Sequence, residues 1–213
     1  MIVINFKNYA AGKKALKLAK LIERYLPHAC AAVSAFDIEE ISKKTKLKVY
    51  AQHVDYFEKK ATTGFIIPEY VKAAGAVGTL LNHSEHQLRP ETIAKTIKRC
   101  EETNLKVLLC VADLKQAKKY VSFEPYAVAF EDSELIGSGK SITEFRSQEV
   151  KKFVSILKNS ATVPLCGAGI HSAEDLKTAY TLGCKGILIS SAIANVPLKK
   201  AEKLLKEIAV WKR

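Results

Sequence analysis

The stretch from Val77 to Val111, VGTLLNHSEHQLRPETIAKTIKRCEETNLKVLLCV, contains the repeating unit that decides the fold. Val77–Leu81 is a short apolar run, which is typical of a strand that is buried on both faces. Pro90 begins a segment with apolar side chains three and four residues apart, which predicts an amphipathic helix. A second apolar run, Lys106–Val111, follows that segment. The order strand, helix, strand indicates two parallel strands joined by a right-handed crossover.

The same unit recurs along the whole chain. The predicted strands are Ile2–Phe6, Ala29–Ser34, Leu47–Gln52, Val77–Leu81, Lys106–Val111, Tyr126–Phe130, Thr162–Cys166 and Gly186–Ser190. Each strand is followed by a helical segment, and eight such units favour a closed (β/α)8 barrel, an α/β fold, over an open doubly wound sheet. Because no linker or change of composition divides the sequence, we expect residues 1–213 to form a single compact domain with short loops.

Composition excludes several classes of protein. No apolar run approaches the roughly 18 residues of a membrane span, so we expect no membrane partner. Five cysteines without CxxC spacing argue against a disulfide framework and favour the reducing cytoplasm. The 34 lysines and arginines exceed the 22 acidic residues by 12, and such an excess can bind nucleic acid. These residues are mostly lysines spread along helical segments, however, so we expect solvated helix surfaces and no nucleic-acid partner.

Polar and small residues follow several of the predicted strands. In a barrel of this kind the reactive groups lie at the carboxyl ends of the strands, so these residues should share one rim. They are Asn5 and Lys7 at the end of the first strand, Asn82, His83, Ser84 and Glu85 at the end of the fourth, Glu131 at the end of the sixth, Gly167, Ala168 and Gly169 at the end of the seventh, and Ser190 and Ser191 at the end of the eighth.

Three of these pieces together resemble the triosephosphate isomerase family. They are Asn5-Phe6-Lys7, Asn82-His83-Ser84-Glu85, and Glu131 followed by Leu135-Ile136-Gly137-Ser138-Gly139. The short chain, the segment AQHVD at 51–55 and the segment CGAGI at 166–170 are similar to the archaeal branch of that family. The resemblance implies interconversion of dihydroxyacetone phosphate and D-glyceraldehyde 3-phosphate, a step of glycolysis and gluconeogenesis, with no cofactor.

The resemblance also implies roles for five residues. Glu131 would be the base that moves a proton between adjacent carbons, which requires a partly dry pocket. His83 would donate to the substrate oxygens as an enediolate forms. Lys7 would place positive charge beside the developing oxyanion, with Asn5 as an added donor, and Glu85 would hold Lys7 by an ion pair.

Backbone N–H groups at glycine loops and helix starts suit a phosphate dianion. The resemblance places these groups at Gly137, Gly169, Ser190 and Ser191. It also places a lid at Asp132, Ser133, Leu135, Ile136, Ser138 and Gly139. The archaeal pattern has prolines after the glutamate, where this chain has Asp132-Ser133. An Asp132 carboxylate that points inward would disfavour the ionised form of Glu131 or repel the substrate.

The resemblance further implies that the loop around Thr63 reaches the active site of a neighbouring subunit, so we expect a homo-oligomer, either a dimer or a tetramer. His83 and His86 have HxxH spacing and His53 is also available, but these loops carry no companion set of carboxylate or thiolate ligands, so we expect no metal. Two alternatives stay open: another phosphate-binding barrel such as a sugar-phosphate epimerase, and a catalytically inactive barrel that binds nucleic acid.

Overall fold

The computed structural model describes residues 1–132, 134–135 and 141–211, and it confirms the predicted barrel. Eight parallel strands pair in chain order, and β1 closes the ring against β8 through the register Val3 to Leu188. The strands are β1 (Ile2–Asn5), β2 (Cys30–Val33), β3 (Lys48–Ala51), β4 (Gly78–Leu81), β5 (Lys106–Val111), β6 (Ala127–Phe130), β7 (Val163–Cys166) and β8 (Gly186–Ile189).

The described part of the chain contains ten α-helices, which surround the barrel. They are α1 (Gly12–Tyr25), α2 (Ile38–Lys44), α3 (Pro68–Ala73), α4 (Pro90–Glu102), α5 (Leu114–Tyr120), α6 (Ile142–Phe145), α7 (Ser147–Leu157), α8 (Ala173–Thr181), α9 (Ser191–Ala194) and α10 (Leu198–Trp211). Short 3-10 turns at Ala35–Asp37 and Val121–Phe123 complete the order. None of the described helices is both long and apolar enough to cross a membrane.

Alternation along each strand divides the apolar side chains into two sets. One set, which includes Val3, Tyr50, Leu108 and Leu165, fills the interior of the barrel. The other packs against the apolar faces of the surrounding helices. Both faces of the strands are therefore buried, which explains why the strands are continuous apolar runs in the sequence.

Asp37 immediately precedes α2 but does not cap this helix. Its side chain makes no capping hydrogen bond to α2. Its Oδ1 instead accepts a hydrogen bond from the backbone N–H of Gly12, at 2.8 Å. Asp37 thereby joins the loop after β2 to the start of α1, a contact between distant residues that local sequence does not encode.

Gly186, the first residue of β8, allows the barrel to close. A Cβ atom on it would lie 2.0 Å from the backbone oxygen of Met1, which accepts the Ile187 N–H at 3.0 Å. We expect Gly186→Ala to destabilise the fold by about 1–3 kcal/mol, because backbone atoms must move apart. Thermal denaturation measures this loss, and Lys48→Ala, at the exposed first residue of β3, is the matched control. Equal melting temperatures for the two variants would contradict this account.

Candidate active site

The carboxyl ends of the first, third and fourth strands enclose a small polar cavity of about 180 Å³. Its walls carry the predicted residues Asn5, Lys7, His83 and Glu85, together with Asn8, Gln52, Leu80 and His86. Glu131 follows β6 and borders this group, with its Oε2 at 3.6 Å from His83 Nε2. The barrel thus brings together the five side chains that the sequence analysis assigned to catalysis.

Lys7 is held in an unusual backbone conformation, with a φ of +45°. Its N–H donates to Asn5 Oδ1 at 3.0 Å, and its carbonyl oxygen accepts from Gln52 Nε2 at 2.9 Å. The Lys7 ammonium lies 2.7 Å from Glu85 Oε1, so the expected ion pair is present. The sequence analysis missed the role of Gln52, although this residue belongs to the AQHVD segment that carries the archaeal resemblance.

His83 is oriented by its neighbours on both sides. Asn82, with a φ of +59°, donates through Nδ2 to the Cys110 oxygen at 2.9 Å and accepts the Leu88 N–H at 2.9 Å. The Glu85 N–H points at His83 Nδ1, at 3.2 Å. An N–H that donates to Nδ1 requires a lone pair there, so the ring proton of the neutral imidazole lies on Nε2. This Nε2 atom is the one that faces Glu131.

Glu131 is a nearly dry carboxylate, with only 7% of its side chain exposed. Its N–H donates to the Val111 oxygen at 2.9 Å, which continues the pairing of the barrel. Among the described residues none provides a hydrogen bond to Oε2. Burial, and then the charge of Glu131, raise the pKa of the Cys110 thiol, which faces the carboxylate. A buried carboxylate with a free oxygen has the chemistry of a general base.

Asp132 does not act as the inward-pointing charge that the sequence analysis considered. Its Oδ2 accepts a hydrogen bond from Arg146 Nε at 2.7 Å. The negative charge next to Glu131 is therefore compensated within the protein. Arg146 lies 14 positions along the chain, and the sequence analysis assigned it no role.

The loops after β7 and β8 form another side of the site. Ala168 and Gly169 have φ values of +69° and +66°, and the Ala168 oxygen accepts the Ile142 N–H at 3.2 Å. Ser190 precedes α9, and the described residues provide no hydrogen bond to its buried Oγ. Ser191 is the first residue of α9. At the positions assigned to phosphate, these loops therefore hold left-handed turns and a hydroxyl to which the described residues provide no hydrogen bond.

A capping box fixes the loop after β7 to α8. Ser172 and Asp175 exchange hydrogen bonds at 3.0 Å, and the His171 N–H also donates to Asp175. Partial burial opposes ionisation of Asp175, but hydrogen bonds from Ser141, His171 and Ser172 outweigh it and hold the pKa of this carboxyl below its usual value. Asp175 therefore remains a charged acceptor that anchors the loop.

Some predicted residues lie away from the cavity or outside the described part of the chain. Thr63 is exposed on the loop between β3 and α3 and does not line the cavity. Leu135 is buried, and its N–H donates to the Asp132 oxygen at 3.0 Å. The remaining predicted lid and phosphate-binding residues, Ser133, Ile136, Gly137, Ser138 and Gly139, lie outside the described residues.

The histidines considered for a metal have other contacts. The rings of His53 and His86 are in contact, with centroids 4.2 Å apart and planes tilted by 32°, and His53 Nε2 lies 3.3 Å from Asp55 Oδ1. Burial and then His86 lower the pKa of His53, against the opposing effect of Asp55. Within the described residues, three or more metal-ligating side chains do not converge at any point.

Gly167 sets the position of the Glu131 side chain. A Cβ atom at Gly167 would lie 2.8 Å from both Cγ and Oε1 of Glu131. We expect Gly167→Ala to displace the carboxylate by roughly 0.5–1 Å, the shift that restores ordinary van der Waals separation. A crystal structure of the variant measures this shift. A distance between Glu131 and His83 that stays at its original value would contradict the expectation.

Comparison with known proteins agrees with this geometry. The family model described as triosephosphate isomerase matches residues 1–207. The triosephosphate isomerase of Sulfolobus acidocaldarius is 37% identical over 97% of this chain and 92% of that protein. That of Methanothermus fervidus is 35% identical over 98% and 96%. A Bartonella henselae triosephosphate isomerase structure shares the fold, with a TM-score of 0.76 at 15% identity over 100% of this chain and 98% of that chain. The chain belongs to the triosephosphate isomerase family.

Proposed function

We propose that this chain interconverts dihydroxyacetone phosphate and D-glyceraldehyde 3-phosphate, with Glu131 as the base. The observation that carries the proposal is the buried Glu131 carboxylate, whose Oε2 lies 3.6 Å from His83 Nε2. That separation is longer than a hydrogen bond, so neither group satisfies the other. Family membership favours this reaction over that of a sugar-phosphate epimerase.

The proposed reaction moves one proton between two carbons. Glu131 removes a proton from the carbon next to the substrate carbonyl, and the C–H electron pair forms the carbon–carbon double bond of the enediolate. His83 donates from Nε2–H to the oxygen that gains charge, and the Lys7 ammonium stabilises that charge. Glu131 then returns the proton to the neighbouring carbon, while the oxygens exchange their proton through His83. The amide of Asn5, oriented through its Oδ1, is an additional donor.

We assign the substrate phosphate to the loops after β7 and β8. The described residues provide no hydrogen bond to the Ser190 hydroxyl, and α9 starts at Ser191. Both observations support this assignment, because a dianion would supply an acceptor at a helix start. Gly169 adds a backbone turn without a side chain. The roles of Gly137 in phosphate binding and of 132–139 as a lid rest on the family resemblance alone.

Substitution of the base tests the assignment directly. We expect Glu131→Gln to lower kcat by roughly 10²–10⁴-fold, because the amide cannot accept the proton. Glu101→Gln, at an exposed position of α4, is the matched control with unchanged kcat. Solvent deuterium incorporation into recovered substrate reports the proton transfer. Activity retained in Glu131→Gln would overturn the role of Glu131, and an inactive parent chain would overturn the function.

We also propose that the chain forms a homo-oligomer through the loops after β2 and β3. Phe36, after β2, is 96% exposed, and Phe65 is 43% exposed on the loop that carries Thr63. That loop is closed at its base, where Asp55 and Ile66 exchange backbone and side-chain hydrogen bonds at 2.7 and 2.8 Å. A loop that projects apolar side chains in this way supports a contact with a second copy.

Charge placed on this surface tests the oligomer. We expect Phe36→Asp to shift the chain toward monomers and to lower activity, because desolvation of a carboxylate opposes association. Val210→Asp, on an equally apolar but distant position of α10, is the control. Analytical ultracentrifugation measures the mass of each variant. Equal masses for the parent and Phe36→Asp would remove Phe36 from the interface.

We propose further that residues 1–213 act as one catalytic domain in the cytoplasm without a nucleic-acid partner. All five cysteines are buried and lie outside any disulfide, which supports the reducing compartment. Lysines on several outer helices pair with glutamates one turn away, as in Lys43 with Glu39, Lys44 with Glu40, and Lys206 with Glu202. This pairing supports a solvated exterior as the source of the positive charge.

A further inference from the structure

Arg146 lies between helices α6 and α7, and its backbone is hydrogen-bonded to both of them. Its N–H donates to the Ile142 oxygen at 3.0 Å, and its carbonyl oxygen accepts the Val150 N–H at 2.9 Å. These bonds attach its backbone to both α6 and α7. The guanidinium group therefore extends from a fixed base.

The guanidinium contacts two carboxylates next to the active site. Its Nε donates to Asp132 Oδ2 at 2.7 Å, and its Nη2 donates to Glu134 Oε2 at 3.2 Å. Asp132 in turn accepts the Glu134 N–H through Oδ1 and the Leu135 N–H through its carbonyl oxygen, both at 3.0 Å. The described residues that follow Glu131 are thus gathered around one arginine.

Arg146 also connects two segments that border the Glu131 carboxylate. Asp132 is covalently next to Glu131, whose own N–H is bonded to β5 at Val111. On the other side, α6 is bonded through Ile142 to Ala168, which adjoins Gly167. A Cβ atom on Gly167 would lie only 2.8 Å from Glu131 Cγ, so the two residues are closely packed. A shift of Arg146 would therefore displace the segments on both sides of the Glu131 carboxylate.

We propose that Arg146 is a positioning residue for Glu131, which it serves by anchoring Asp132 and cancelling the charge of that carboxylate. The inference rests on the proposed role of Glu131 as the base. Arg146 acts through Asp132 and does not line the substrate cavity. Its fork geometry supplies both functions, since it directs two donors at fixed angles and always carries a positive charge.

The two functions can be separated because one is electrostatic and the other is geometric. The titratable groups that face Glu131 are His83, Cys110 and Cys166. Those around Arg146 are Asp132, Glu134 and Glu149. Removal of Arg146 would leave the Asp132 carboxylate uncompensated next to the base. A neighbouring negative charge favours the protonated form of a carboxyl group. The acidic limb of the pH profile of kcat/KM would therefore move to higher pH.

Four variants and one control variant test the inference. The readouts are kcat, KM, the pH profile of kcat/KM and the melting temperature. We expect Arg146→Gln to lower kcat roughly 5–50-fold with little change in KM, because the base is misplaced. The acidic limb of its kcat/KM profile should move to higher pH by roughly half a unit. Arg146→Lys keeps the positive charge but loses the fork geometry, so it should return the acidic limb to the parent's pH and restore only part of kcat. Arg146→Gln combined with Asp132→Asn should restore the limb and leave kcat low. If Arg146→Gln does not fold, Asp132→Asn should lower kcat without raising the limb.

The matched control is Arg99→Gln. Arg99 also binds two carboxylates, those of Glu69 and Glu102, but on the outer helices α3 and α4. We expect it to lower the melting temperature without changing kcat or the acidic limb. If Arg146→Gln behaves like Arg99→Gln, or if Asp132→Asn has the kcat of the parent, the inference is overturned while Glu131 keeps its role. An inactive parent chain overturns the inference and the proposed function together.

Discussion

The Glu131 carboxylate is almost excluded from water, and the described residues provide no hydrogen bond to its Oε2; this is the constraint on which the rest of the site depends. Burial of an incompletely paired carboxylate costs free energy, so a fold that contains one must be rigid enough to prevent its escape to solvent. The closed barrel provides this rigidity, because Glu131 continues the hydrogen-bond ladder of β6. Cys110 below it and Gly167 beside it leave the carboxylate little room.

Backbone strain is also concentrated at the carboxyl ends of the strands, around the site. Lys7, Asn82 and Ala168 have positive φ values, and each lies one or two residues after the end of a barrel strand. A left-handed residue other than glycine costs about 1–2 kcal/mol. Side-chain hydrogen bonds offset this cost at Lys7, through Asn5 and Gln52, and at Asn82, through Cys110 and Leu88. The strain turns the chain sharply enough to place Lys7 and His83 over the same cavity.

The sequence predicted what depends on short-range periodicity and missed what depends on contacts between distant residues. The eight buried strands and the long helices have clear apolar patterns, so the barrel and its functional rim followed from them. Helices α6 and α9 have four residues each, which is too short for a helical period to show. Gln52 and Arg146 gained their importance only when folding brought Lys7 and Asp132 to them. The lone Asp132 therefore suggested repulsion, although folding supplies its partner.

The Asp132–Arg146 contact also changes how the segment after the base is restrained. Proline at this position, as in the archaeal pattern, restricts φ through a covalent ring and needs no other part of the protein. An ion pair restrains the same residue through α6 and α7, so its strength depends on those helices being folded. It also depends on ionic strength, because Arg146 is partly exposed and salt screens such charges. In this chain the restraint on the base therefore depends on the tertiary structure rather than on local covalent geometry, which makes the restraint adjustable by solution conditions.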